Sequence, residues 1–181
     1  MIMIMLDEII KALLDGSSKV RCEFDSTLFF RGDVVEFLFV LQKGQIALTR
    51  HMKDGNELVL CRAVGPCILA EASVYSKLYH CDAVALSECE LHKVSKNDFI
   101  SLLASCPVMA NSWSAHLAQS LQTARQHSEI LRLKKVRERV DAWSALNGGE
   151  LPPKGQWKGF AAQIGVSVEA LYRELATRDV C

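Results

Sequence analysis

The chain has 181 residues, room for one medium domain or for one medium and one small domain. Half of them are hydrophobic, enough for a buried core, and the formal net charge is zero, so bulk charge gives no argument for a nucleic-acid or acidic-lipid partner. Residues 1–100 hold 11 basic and 14 acidic side chains and residues 101–181 hold 10 and 7, a bias too small to choose a partner.

The chain opens with "MIMIMLDEIIKALL". Asp7 and Glu8 interrupt its apolar run too early for a bilayer span, and the basic start and cleavage site of a signal peptide are missing. An amphipathic helix packed on its own domain is expected, with no membrane association and a cytoplasmic location. Residues 20–94 then read as short strands and turns. "VVEFLFVL" (34–41) and "GQIALTRH" (44–51) flank a Lys43-Gly44 turn, Asp54-Gly55 is a hairpin signal, and "CDAVALSECELHKV" (81–94) has room for two more strands. Gly16, Gly32, Gly44, Gly55 and Gly65 recur with the rhythm of an all-β barrel or jelly roll.

The pattern changes after Val94. "SKNDFISLLASCP" predicts a short helix capped by Ser95 or Asn97 and ended near Pro107. Residues 108–146 lack Pro and Gly, and Leu117, Leu121, Ala124, Ser128 and Leu131 alternate at spacings of four and three, the seam of a paired helix. Val136, Val140 and Trp143 continue the stripe on another face. "NGGELPPKG" (147–155) is a break. After it, Phe160, Ala161 and Ile164 mark one helix, Gly165 a left-handed turn, and Ser167 the cap of a second helix whose Leu171 and Leu175 face inward, a helix-turn-helix outline. The fold class expected is α+β, with a β-barrel or jelly-roll sensor domain (1–107), a long dimerisation helix (108–135) and a small helix-turn-helix domain (136–181) lacking an evident wing.

Seven cysteines, an odd number without C-x-x-C spacing, read mostly as buried thiols of a reducing compartment. No nucleophile–base arrangement, metal-ligand spacing or Gly-rich phosphate loop is recognisable, so neither an enzyme nor a metal site is expected.

Five stretches carry a family likeness by their order: "GDVVEFLFVLQKGQIAL" (32–48), "DGNELVL" (54–60), "ILAEASVY" (68–75), "RERVDAWSAL" (137–146) and the helix-turn-helix at 159–178. Together they make the chain resemble the Crp/Fnr family of bacterial transcription regulators from about residue 20 to 178. The resemblance implies a homodimer that reads a palindromic double-stranded DNA site, with RNA polymerase as a further partner. It implies that "SVEALYREL" is the recognition helix, with Glu169 and Arg173 reaching base edges, Ser167 near a phosphate, and Val168 and Tyr172 at two more positions of the reading face. Val168 in place of an Arg makes it resemble the Fnr branch. A wing follows this helix in the family, and no residues remain here to build one. A short gene product and a cut chain both stay open.

The effector pocket departs from the family. Where cyclic-nucleotide binders carry an Arg and a hydroxyl residue, this chain has Cys81 and Asp82. The cassette Gly is Ala70, only Glu71 remains, and the base-contacting positions on the long helix look like Ala124 and Arg125. A phosphodiester needs a cation or good donors, so cyclic AMP is not the expected effector and the cofactor stays unknown. Only Cys22 precedes the barrel, against an iron–sulfur cluster. For heme, His80-Cys81, Cys89 with His92, His116 and His127 are candidates by type, although residues one or three apart in a strand face opposite ways. A thiol switch among Cys61, Cys67, Cys81 and Cys89, and a barrel that binds nothing, are the other openings. The competing reading is a barrel-based sensor or protein-interaction module with a degenerate helix-turn-helix that does not bind DNA by itself.

Overall fold

The computed structural model describes residues 9–52 and 57–178. Residues 9–14 are helical (α1), with Ile9, Ile10 and Leu13 buried, in keeping with the amphipathic reading over that part of the opening stretch, whose first eight residues lie outside the described ones. Eight strands follow: β1 (Ser18–Cys22), β2 (Thr27–Phe29), β3 (Phe37–Lys43), β4 (Gln45–His51), β5 (Glu57–Val64), β6 (Cys67–Leu69), β7 (Asp82–Ala85) and β8 (Cys89–Ser95). They form two antiparallel sheets, ordered β1-β8-β3-β6 and β2-β7-β4-β5. Phe39, Leu41, Ile46, Leu69, Ala83, Ala85 and Leu91 fill the space enclosed by the sheets. Phe29 stacks on Tyr79 with ring centroids 4.0 Å apart, and the Tyr79 hydroxyl donates to the Phe37 carbonyl at 2.7 Å. A buried phenol keeps its polar end satisfied this way.

The Lys43-Gly44 turn forms as expected and requires glycine. Gly44 sits at φ +99°, and a Cβ there would lie 2.6 Å from the Cys89 sulfur. β4 and β5 pair as the Asp54-Gly55 signal implies, while that turn itself lies outside the described residues. The strand expected from Val34 starts at Phe37 instead. Val34 makes only an isolated bridge to Leu78 and is exposed.

Helix α2 (Lys96–Ser105) is capped by Ser95, whose hydroxyl accepts from the Asp98 amide. α3 (Pro107–Arg132) opens on Pro107, which has no amide to leave unpaired at a first helical position. Its first turns pack inside the barrel unit: Trp113 is buried and meets Phe99 edge-on at 4.8 Å. α4 (Val136–Leu146) starts after a three-residue break without Gly or Pro. α5 (Trp157–Gln163) and α6 (Val168–Arg178) follow the 147–155 connection. The chain forms two compact units dividing between His116 and Leu117, within α3. The core of the second unit consists of Ile130, Val140, Phe160, Ala161, Ile164, Leu171 and Leu175. Among the described residues, no helix is long and apolar enough to cross a membrane.

Candidate functional site

The second unit presents a short helix on a built turn. At the end of α5 the Val166 amide donates to the Ala161 carbonyl at 3.0 Å and the Gly165 amide to the Ala162 carbonyl at 3.2 Å, with Gly165 at φ +65°. This is a Schellman closure, and it satisfies carbonyls that a helix end would otherwise leave open. The Ser167 hydroxyl accepts from the Ala170 amide at 3.1 Å and caps α6. Leu171 and Leu175 turn inward, which leaves Glu169, Tyr172 and Arg173 on the outer face, with Ser167 exposed at its start.

The side chains expected at DNA differ in their settings. The Glu169 carboxyl is held below the usual range, first by a backbone amide at the helix start, then by Ser167 and by the Arg173 charge. Val168 is half-buried against the helical core. Tyr172 lies edge-on to Trp157 at 4.9 Å, so its ring is anchored while the residue stays 42% exposed. Arg178 is committed elsewhere, pairing with Asp141 at 2.8 Å and Glu174 at 2.9 Å.

In the barrel, the residues expected at the effector pocket separate. Cys81, Ala83 and Ala85 belong to the enclosed core, so Cys81 faces inward. Asp82 has the opposite parity. Its carboxylate accepts from the Arg31 amide at 2.7 Å and meets His51 Nδ1 at 3.2 Å, so it is spent on the outer side of β7. Glu71 lies close enough to Cys81 to act on its thiol, and burial raises the Glu71 carboxyl. Ala70 takes φ +67°, the left-handed conformation that a glycine would hold more easily. Ala124 and Arg125 are exposed on α3, in the second unit.

Sequence reasoning missed Arg50. β4 and β7 pair with Leu48 opposite Ala83 and Thr49 opposite Asp82, so the next step sets Arg50 beside Cys81. Arg50 shares the parity of Ile46 and Leu48, both part of the enclosed core or packed on it. It donates to the His80 carbonyl at 3.0 Å, and among the described residues its buried Nε has no partner. The period-two run Ile46, Leu48, Arg50 carried this information: it aims the third residue where the first two point. The barrel therefore has an inward cation, supplied by β4 instead of β7.

The thiols and imidazoles are settled locally. Burial pushes the Cys67 thiol up to about 12 and the Cys81 thiol up to about 11, far from thiolate formation at neutral pH. Cys22 faces Cys89 across β1 and β8. His80 Nδ1 bonds Ser73 at 2.8 Å, His92 Nδ1 bonds Ser17 at 2.7 Å, and His127 bonds the Gln163 carbonyl. Among the described residues, no group of three His, Cys, Asp or Glu side chains is placed to hold a metal ion.

Residues 19–106 match the cyclic nucleotide-binding domain family. The chain is 28% identical over 115 residues to the cyclic AMP receptor protein of Thermus thermophilus, covering 62% of this chain and 53% of that one. It is 30% identical over 129 residues to the cAMP-activated global transcriptional regulator CRP of Pasteurella multocida, covering 70% and 61%. The chain thus spans between half and two thirds of the length of these curated relatives. The solved catabolite activator protein of Thermus thermophilus superposes with a TM-score of 0.59 at 25% identity, over 94% of this chain and 82% of that one. FixK2 from Bradyrhizobium japonicum superposes with a TM-score of 0.71 at 15% identity, over 91% and 85%, a likeness of fold alone. The Pasteurella multocida relative is a transcriptional regulator by name and the Thermus thermophilus one a cyclic AMP receptor, and together with the domain match they support the Crp/Fnr resemblance.

Proposed function

We propose that the chain is a dimeric DNA-binding transcription regulator of the Crp/Fnr type whose barrel is not gated by cyclic AMP. The observation that carries the reading is the α6 face: Ser167, Glu169 and Arg173 stand exposed on a helix whose start is fixed by the Gly165 turn and the Ser167 cap. Glu169 and Arg173 are one helical turn apart. Glu can accept from a cytosine amino group and Arg can donate two bonds to guanine in the major groove. Val168 and the anchored Tyr172 fit an Fnr-like half-site in which Tyr172 alters one contact. Dimerisation is supported by the stripe on α3, where Leu121 is 52% and Leu131 41% exposed in the protomer. RNA polymerase is a further partner of this reading. The barrel part rests on Cys81 occupying the inward place just before β7 and on Arg50 being partly engaged by the His80 carbonyl.

The test compares binding to an Fnr-like palindrome and to scrambled duplex over a salt range. The palindrome should be preferred, and Arg173→Ala should weaken that binding by about 10- to 100-fold, the value of a bidentate base contact. Equal, weak and salt-sensitive binding to both duplexes would sink the reading and favour the protein-interaction alternative.

A further inference from the structure

Arg139, on the first turn and a half of α4, is a half-buried cation with its guanidinium surrounded by carbonyl oxygens. Its Nε donates to the Leu133 carbonyl at 2.8 Å and Nη2 to the Leu131 carbonyl at 3.0 Å. Its Nη1 donates to the Ile164 carbonyl at 2.9 Å and to the Gly165 carbonyl at 2.7 Å. The first pair lies at the carboxyl end of α3 and in the break that follows. The second pair lies in the turn that launches α6. Both are helix ends, where carbonyls lack intrahelical partners and the local field favours a cation.

We propose that Arg139 is a positioning residue that fixes the direction of α6 relative to the carboxyl end of α3, across a break the backbone alone would leave free. The functional half of this inference rests on the DNA-binding reading. The chain between Arg132 and Val136 is a short irregular link, and one planar guanidinium joins its two sides to the α5–α6 turn. A second tie runs parallel: His127 on α3 bonds the Gln163 carbonyl, and Trp143 Nε1 donates to the Gln163 side chain at 3.2 Å. Close packing closes the joint, since a Cβ on Gly165 would lie 2.7 Å from a Leu131 methyl and 3.1 Å from Arg139 Nη1. The angle at which α6 meets DNA would therefore be transmitted from α3 as from one rigid body. Lysine cannot replace the arginine, because a point ammonium on a flexible stem cannot donate in four fixed directions.

The experiment uses the full chain and Arg139→Lys, with residual dipolar couplings on backbone amides of 120–132 and 157–178. In the native protein both segments should fit one alignment tensor, and in the variant they should require two. In the binding assay, the variant's preference for the palindrome over scrambled duplex should fall about tenfold with scrambled-duplex affinity unchanged, since the charge is kept. One tensor in the variant, or an unchanged preference, overturns the proposal. If the native chain shows no preference, the DNA reading fails while the tensors still decide the joint. If the variant does not fold, the native side chain supplies the answer: separately resolved, slowly rotating Arg139 Nη protons support the proposal, and one averaged, fast-rotating signal overturns it.

Discussion

Glu71 and Arg50 are opposite charges brought into one barrel, and their settings differ. Burial raises the Glu71 carboxyl, with its own backbone bond as the smaller opposing effect. A carboxyl raised on folding binds protons more tightly in the native state. Stability therefore falls as pH rises from the unfolded value, about 4.3, through the folded one, and is fully present only below that window. Glu71→Gln should flatten this loss. The expected result is a melting temperature higher by about 3 °C at pH 7 and equal to wild type near pH 4, read by thermal unfolding at both values. A lower melting temperature at pH 7 would mean that the ionised carboxylate is used by the fold. Asp82 shows the converse. The sequence places it next to Cys81 and suggests a charge within the pocket, yet strand parity sends it to the opposite face, where the Arg31 amide and His51 occupy it.

Among the elements, the α5–α6 turn is the most locally encoded. Gly165 supplies the positive φ, the Val166 and Gly165 amides close α5, and Ser167 opens α6. Gly165→Ala meets both a left-handed backbone and the Leu131 methyl. The expected loss is about 2 kcal/mol in the helical unit, checked by following helicity at 222 nm against denaturant. An unchanged midpoint would show that the turn relaxes freely. α3 is the opposite case, an element whose two ends have different partners. Trp113 belongs to the barrel unit, whereas Ile130 belongs to the helical core. The middle of the helix exposes Leu121, a residue with little to lose in the isolated protomer. Leu121→Glu should leave the melting temperature of a dilute sample within about 1 °C and weaken self-association at least tenfold, read by sedimentation equilibrium. An unaltered association constant would place any dimer contact elsewhere.

For the molecule as a whole, the apolar runs of β3 and β4, the Gly44 turn, the Ser95 and Ser167 caps and the inward leucines of α6 were all legible in the sequence. Each depends on periodicity or on the backbone chemistry of one residue, and such signals are complete within a few positions of the chain. The order of these elements was enough to suggest a barrel followed by a helix-turn-helix. The β3 start was misplaced because Val34 has strand propensity and no strand beside it beyond a single bridge. The break after Arg132 carries no Gly or Pro, and it is held by a side chain seven residues further along the chain. Arg50 beside Cys81, Asp82 turned away from it, and Arg139 among four carbonyls join residues 25 or more positions apart, or two helix ends at once. Sequence by itself determined the elements, their caps and which faces are apolar, because those follow from local geometry. Tertiary structure decided which charge enters the barrel and what holds α6 in place, because strand register and the meeting of helix ends are set only when distant segments pack together.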